Sequence, residues 1–298
     1  MKKLLLIINP VAGKLTVHTE LFAIINKFCK SGYEVTTAVS QKRGNMRELA
    51  SEAKDKGYDL VVCCGGDGSL NETVSGLVSS GNGKAPLPLG YIPCGSTNDF
   101  AETLQIYLKP HIAAMQIVEG KPHELDIGQF GEKRYFTYIA SFGAFTSASY
   151  NASQDMKNTL GHFAYLLAGL SDLSSLRGHK VKVTANGKTY SGNYVFGSVS
   201  NTTSVAGLVK FKDTIVDLSD GKFEVILVKK PADILDLNKI ITGIANSDFS
   251  SDAFDYFKAD TIEFEMGKSV PWTLDGEKAD APGDVTIRNL NKALTLIR

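Results

Sequence analysis

Along the first 125 residues, apolar positions alternate between unbroken runs and helical stripes. Residues 4–8 are continuously apolar, and Leu21, Ile24, Ile25 and Phe28 then recur at i, i+3, i+4 and i+7, the stripe of an amphipathic helix. The β-branched and apolar run at 33–39 predicts a second strand. Met46, Leu49, Ala50 and Ala53 return to helical spacing, residues 59–64 form another apolar run, and "LPLGYIP" at 87–93 predicts a fourth strand. Strands buried on both faces read as continuous apolar runs, so this alternation predicts a doubly wound α/β domain with a parallel sheet, spanning residues 1–125.

From residue 126 the pattern changes. Short β-rich runs such as "RYFTYIASFGAF", "KFEVILVKK" and "TIEFEM" are separated by Asn-Gly, Asp-Gly and Gly-rich turns, which predicts an antiparallel β-sandwich over 126–298. Two helical insertions, "NTLGHFAYLLAGLSDL" and "PADILDLNKIITGI", interrupt it. The final strand is a candidate to return to the first domain.

Composition narrows the class. Apolar residues make up 43% and charged ones 21%, as in a globular chain, and 32 basic residues balance 32 acidic ones, so no net field attracts nucleic acid. The apolar run at 4–8 ends at Asn9-Pro10, too short for a signal peptide, and no stretch approaches the ~20 apolar residues that span a bilayer. A cytoplasmic location is expected. Cys29, Cys63, Cys64 and Cys94 lack zinc or redox spacing and are expected to be reduced core residues.

The candidate chemistry lies in three turns, "NPVAGK" at 9–14, "GGDGSLNE" at 65–72 and "PCGSTNDFA" at 93–101, each directly after an expected strand. At the carboxyl ends of parallel strands, glycine-rich turns and helix amino termini present N–H groups to phosphate. Gly65, Gly66 and Gly68 would admit phosphate to the backbone, Ser69 would add a hydroxyl, and Asp67 would hold magnesium or organise the phosphates. Asn98 or Asp99 would cap the helix that follows. Any one turn is explained by strand-to-helix geometry alone; three on one edge argue for a ligand. Neither the dinucleotide fingerprint GxGxxG nor the Walker pattern GxxxxGK[ST] is present.

These residues resemble the diacylglycerol kinase catalytic-domain family. "GGDGSLNE" is similar to its GGDGT-N-E motif, "NPVAGK" to its NPxxG and "GSTNDFA" to its GTxNDFA, while "LSDGKFEVILV" and "TLDGEKA" resemble its later DDG and DGE segments. "FGAFTSASYNASQDMKNTLGHFAYLLAGL" is similar to the soluble bacterial lipid kinases of the group. The resemblance implies an N-terminal domain like that of NAD kinases and phosphofructokinase, a C-terminal β-sandwich, and an active site in the interdomain cleft. It implies transfer of the γ-phosphate of ATP to a lipid hydroxyl, diacylglycerol giving phosphatidic acid. Carried over by position, Asn9, Pro10, Val11, Ala12, Gly13, Ser40, Gly65, Gly66, Asp67, Gly68, Ser69, Leu70, Asn71 and Ser96 would bind ATP. Asp275 would be the general base with Glu277 beside it. The carboxylate of Asp220, with the backbone carbonyls of Asp217 and Lys222, would hold a structural Mg2+.

Two departures bear on this. Ser69 replaces the usual threonine and keeps its hydroxyl, whereas "KDTIVDLSDG" lacks the proline and alanine usual before the DDG. From spacing alone, Asp275-Gly276 and Asp220-Gly221 read as hairpin turns, like Asn186-Gly187. Phosphatidylglycerol, a sphingoid base or NAD stand as alternative acceptors, and a non-catalytic lipid or nucleotide sensor as an alternative class. Phe163, Leu166, Leu167 and Leu170, followed by Arg177, His179, Lys180 and Lys182, match a core stripe first and a transient membrane contact second. A homodimer is compatible with the sequence.

Overall fold

The structure, a computed structural model, describes residues 1–13, 16–96, 98–143, 176–202, 204–205, 209–210, 217–280 and 283–298. The chain divides into two compact units, one of Met1–Ile127 with Leu290–Arg298 and the other of Gly128–Asn289.

In the first unit, β1 (Lys2–Ile8), α1 (Thr16–Lys30), β2 (Tyr33–Val39), α2 (Asn45–Ser51), β3 (Leu60–Gly65), α3 (Asp67–Ser80), β4 (Leu89–Pro93), α4 (Asp99–Thr103) and α5 (Pro110–Glu119) follow in order. The strands lie β2-β1-β3-β4, all parallel, with Ile8 opposite both Val39 and Cys64. Every residue of β3 and β4 is buried, which is why these segments read as continuous apolar runs. The strand order reverses between β1 and β3. Ligands of open α/β sheets bind beyond the strand ends at such a reversal, where the first two glycine-rich turns stand.

α1 turns Ile24 and Phe28 into the core, but Cys29 is exposed, contrary to the expectation that all four cysteines are core residues. It follows Phe28 by one residue, and a helical step of about 100° carries it off the stripe. Cys63, Cys64 and Cys94 are buried free thiols, and burial pushes that of Cys63 up to about 12.

The connection to the second unit runs through β5 (Pro122–Phe130), which leads into β6 (Arg134–Phe136), β7 (Ile139–Gly143), β8 (His179–Ala185), β9 (Lys188–Ser200), β10 (Ser204–Val205), β11 (Val209–Lys210) and β12 (Phe223–Lys229). Then come the helix α6 (Ile234–Asn246), β13 (Phe254–Ala259), β14 (Thr261–Glu265), β15 (Pro271–Leu274), β16 (Glu277–Asp280) and β17 (Val285–Ile297). The far end of β17 returns to the first unit, where Leu296 pairs in parallel with Leu89 of β4.

Pairing within the second unit is antiparallel. One layer runs β16-β15-β7-β9-β12-β13, and the long β9 also pairs with β8, which continues through β14 to β17. Apolar residues from both layers form the core around the fully buried Trp272, whose ring centroid lies 4.9 Å from Phe142 and 5.1 Å from both Phe130 and Phe264. The second helical insertion is α6, capped by the Asp233 carboxylate, which accepts from the Asp236 N–H. The first insertion, with Phe163, Leu166, Leu167 and Leu170, lies outside the described residues.

Candidate functional site

In the first unit the three glycine-rich turns interlock. The turn after β1 is pinned to the sheet by the Asn9 N–H donating to the Cys64 carbonyl at 2.9 Å, and the Asn9 amide donates to Ser69 Oγ at 2.8 Å. The Asn9 side-chain oxygen accepts from the Val11 N–H, and the Asn9 carbonyl from that of Ala12. Ser69 is buried on the first turn of α3, so its hydroxyl serves as an acceptor linking two turns.

The glycines are there because the turns touch one another. A Cβ on Gly13, whose φ is +61°, would stand 2.0 Å from the Cys94 carbonyl oxygen. One on Gly95 would stand 2.6 Å from the Cα of Gly66, and one on Gly65 would stand 2.4 Å from the Cβ of Ser69. Gly66 is the N-cap of α3, and the Leu70 N–H donates back to its carbonyl. The half-buried Gly66, Asp67 and Gly68 thus sit at the amino end of a 14-residue helix, where N–H groups and the helix dipole favour an anion.

Asp67 has a task that sequence reasoning missed. Its Oδ2 accepts from the Asp99 N–H at 3.1 Å and its Oδ1 from the Phe100 N–H at 3.3 Å, so it caps α4 from 32 residues away. Asn98 and Asp99 were the expected caps. Instead Asn98, in the left-handed region at φ +56°, folds its amide back to accept from the Gly95 N–H and donate to the Gly95 carbonyl. Buried Tyr91 lies beneath, its hydroxyl pushed up by burial first and by Asp67 second. Ser40 reaches the end of β1 through its N–H to the Ile8 carbonyl. Pro10, Ala12 and Asn71 are half-buried, Val11 and Ser96 exposed, and Leu70 buried, so Leu70 supports the turn from inside. Glu72, also missed, accepts from the Gly44 N–H at 2.8 Å and ties α3 to the start of α2.

In the second unit, Leu274 pairs with Glu277 across a two-residue turn in which Asp275 and Gly276 have φ of +48° and +82°, the geometry of a tight hairpin. The Asp275 carboxylate is buried and turned inward. Its Oδ2 accepts from the Thr137 N–H at 2.6 Å and the Thr137 hydroxyl at 2.8 Å, and its Oδ1 from the N–H groups of Tyr138 and Ile139 at 3.0 and 3.1 Å. Four donors therefore anchor the carboxylate, while Glu277, at the head of β16, is exposed. No signal in the sequence around Thr137 announced this anchor.

Asp217, Asp220 and Lys222 come together on one turn. Asp217 Oδ1 accepts from the N–H and hydroxyl of Ser219, Asp220 Oδ1 accepts from the Lys222 N–H at 2.9 Å, and Asp220 Oδ2 lies 4.0 Å from the Lys258 ammonium. One Asp220 oxygen is thus taken by a backbone N–H and the other faces an ammonium, so a cation at this turn would meet a single carboxylate already shared with a positive charge. Among the described residues no group of three or more His, Cys, Asp or Glu could hold a metal. Of the basic residues beyond the first insertion, Lys182 is paired with Glu265 at 2.8 Å, and His179 lies edge-on to Phe142.

The family model for the diacylglycerol kinase catalytic domain matches residues 3–130. A diacylglycerol kinase of Bacillus subtilis (strain 168) is 33% identical over 279 residues, which are 93% of this chain and 90% of that protein. One of Staphylococcus carnosus (strain TM300) is 30% identical over the same share of this chain and 89% of its own. Among solved structures, a candidate diacylglycerol kinase from Bacillus anthracis str. Sterne superposes with a TM-score of 0.80 at 25% identity, covering 99% of this chain and 95% of that one.

Proposed function

The chain belongs to the diacylglycerol kinase family, and from that premise we propose that it transfers the γ-phosphate of ATP to the free hydroxyl of diacylglycerol, giving phosphatidic acid. The observation that carries the nucleotide half of this reading is the interlock of the three turns at the reversal of the parallel sheet. Phosphoryl transfer asks little covalent chemistry of a protein; it needs positioning and neutralisation of charge on the phosphate oxygens. The turns at 9–13, 65–71 and 95–96 hold the phosphates, with Ser40 beside them. Asp67 fixes the turn around them and would be the carboxylate nearest to Mg2+ bound with ATP at these turns. The Asp220 carboxylate, with the carbonyls of Asp217 and Lys222, would hold a structural Mg2+. When bound, magnesium neutralises charge on the phosphate oxygens.

The acceptor hydroxyl must lose a proton as the phosphoryl group arrives. Asp275, saturated by four donors, positions the hairpin, and the exposed Glu277 accepts the proton. A lipid acceptor also implies transient contact with a membrane surface; among the described residues no helix is long and apolar enough to cross one.

The test is transfer of labelled γ-phosphate to a panel of diacylglycerol, phosphatidylglycerol, sphingosine and NAD, repeated with two variants. Label in phosphatidic acid is the expected result, and label elsewhere would replace the acceptor. Glu277→Gln is expected to lower kcat by about 10²-fold or more with an unchanged Tm. Asp275→Asn sets an amide N–H against a donor in the 137–139 loop and is expected to lose about 1–3 kcal/mol of stability as well as turnover. An inactive Asp275→Asn with wild-type stability, beside an active Glu277→Gln, would return the base role to Asp275.

A further inference from the structure

Within the first unit, an open cleft of about 370 Å3 lies between α5, the connection that precedes it and the start of β5, walled by Tyr107, Ile112, Met115, Lys121, His123 and Arg298. No residue of the three glycine-rich turns lines it. Its walls are fastened on both sides. The Tyr107 N–H donates to Gln116 Oε1 at 3.3 Å and Gln116 Nε2 to the Gln105 carbonyl at 3.1 Å, which ties the connection to α5. Lys121 and Arg298 exchange backbone hydrogen bonds of 2.9 and 3.2 Å, and Arg298 Nη1 donates to the Leu104 carbonyl. The cleft is therefore formed before any ligand arrives, as small-molecule sites usually are.

Its charge is unbalanced. Arg298 Nη1 is taken by a neutral carbonyl, and Nε is buried with no acceptor among the described residues. A guanidinium withdrawn from water without a counter-ion is a costly arrangement, and burial accordingly holds Arg298 below its ordinary value. The acidic side chain of the cleft, Glu119, is engaged by Lys27 at 3.4 Å, and Glu124 nearby by Lys292 at 3.2 Å. Lys121, His123 and Arg298 are left without an acidic partner among the described residues. The remaining wall is apolar and uncovered: Tyr107 is 60% exposed and Met115 37%.

Size limits what could enter. A water's share of liquid volume is about 30 Å3, so the cleft takes on the order of 12 such groups, fewer than the atoms of ATP or of a diacylglycerol. We propose that the cleft binds a small amphipathic anion, a carboxylate or phosphate monoester on an aromatic or short aliphatic body. Its anionic group lies against Arg298 and Lys121, where a guanidinium suits a forked oxyanion, and its apolar body against Tyr107 and Met115. None of the residues assigned above to nucleotide, metal or proton transfer lines the cleft, so this ligand binds beside ATP rather than in its place.

The experiment is calorimetric titration of the full chain with phenyl phosphate and with benzoate, each repeated in a saturating non-hydrolysable ATP analogue. Inorganic phosphate, which lacks the apolar body, and benzyl alcohol, which lacks the charge, serve as partial mimics. One-to-one binding of an aryl anion is expected, about tenfold or more tighter than either mimic and undisturbed by the analogue; the tighter probe identifies the anionic group. Arg298→Gln is expected to weaken it about 10- to 100-fold. Should loss of the Leu104 contact unfold that variant, two exposed positions carry the test: Lys121→Gln, about two- to fivefold weaker, and Tyr107→Ser, about tenfold weaker, both with unchanged Tm. Absence of saturable binding, displacement by the ATP analogue, equal affinity for inorganic phosphate, or wild-type affinity in both Lys121→Gln and Tyr107→Ser would overturn the site.

Discussion

Alanine substitution of three glycines should produce a graded loss that follows the distances between turns. At Gly66 a Cβ would lie 3.0 Å from the Gly95 Cα, so its neighbour must give by a few tenths of an ångström. At Gly95 the same pair meets at 2.6 Å, with the Asn98 side-chain oxygen at 2.8 Å, and overpacking of this kind costs about 1–3 kcal/mol. At Gly13 the Cβ would stand 2.0 Å from a backbone oxygen that cannot rotate away, about 1.4 Å inside ordinary contact. The left-handed φ adds about 1–2 kcal/mol, bringing the total to roughly 2–5 kcal/mol. Relief must come from parting the 9–13 turn from the 93–96 turn, and a misplacement near 1 Å costs about 10²-fold where groups must be aligned. The assay is kcat/KM for ATP at saturating lipid, with thermal unfolding alongside. The expected order of damage is Gly13→Ala, then Gly95→Ala, then Gly66→Ala. A Gly13→Ala enzyme with wild-type kcat/KM for ATP would refute the claim that contact between these turns shapes the phosphate site.

Two further outcomes follow from single groups. Asp67→Asn keeps the shape of the α4 cap but removes its charge, and is expected to cost about 1 kcal/mol in stability and to raise KM for ATP; unaltered ATP binding would confine Asp67 to capping. His179, held below its ordinary 6.5 by burial first and by Arg177 second, binds protons less readily folded than unfolded. Its contribution is therefore fully present above pH 6.5 and falls as acid protonates the unfolded chain, so Tm should drop between pH 7 and 5, and His179→Asn should flatten that slope.

The parallel sheet was legible because its strands are buried on both faces: residues 4–8 and 60–65 have no polar position to interrupt the run. The sandwich was legible from its turn residues, Asn186-Gly187 between β8 and β9 among them. What pattern reading could not reach is the identity of each partner. A glycine in "GGDG" announces that something comes close, but that the neighbour of Gly66 is Gly95 depends on the pairing of β3 with β4. Asp67 reads in sequence as a metal or phosphate ligand, and its capping role stayed hidden because the partners it caps are backbone N–H groups of a helix that only the fold brings near. Ser198, within the apolar-looking "YVFGSVS", carried no signal of its burial, since a serine on a strand normally means a solvent-facing position and here the face is covered.

The three Asx-Gly turns show where local sequence stops deciding function. Asn186-Gly187, Asp220-Gly221 and Asp275-Gly276 are all read by the chain as reversals, and each has a glycine at positive φ. What separates them is where the first side chain goes. Asn186 donates outward to the Lys258 carbonyl, Asp220 accepts from its own turn and faces Lys258, and Asp275 is drawn inside by the 137–139 backbone. The donors that capture Asp275 lie about 138 positions earlier, so no window on the sequence can contain them. Their effect is to fix the turn rigidly, with Glu277 exposed on the next strand. The hairpin and the DGE segment are then the same object: the turn chemistry sets the reversal, and the buried anchor, supplied from far along the chain, fixes it in place.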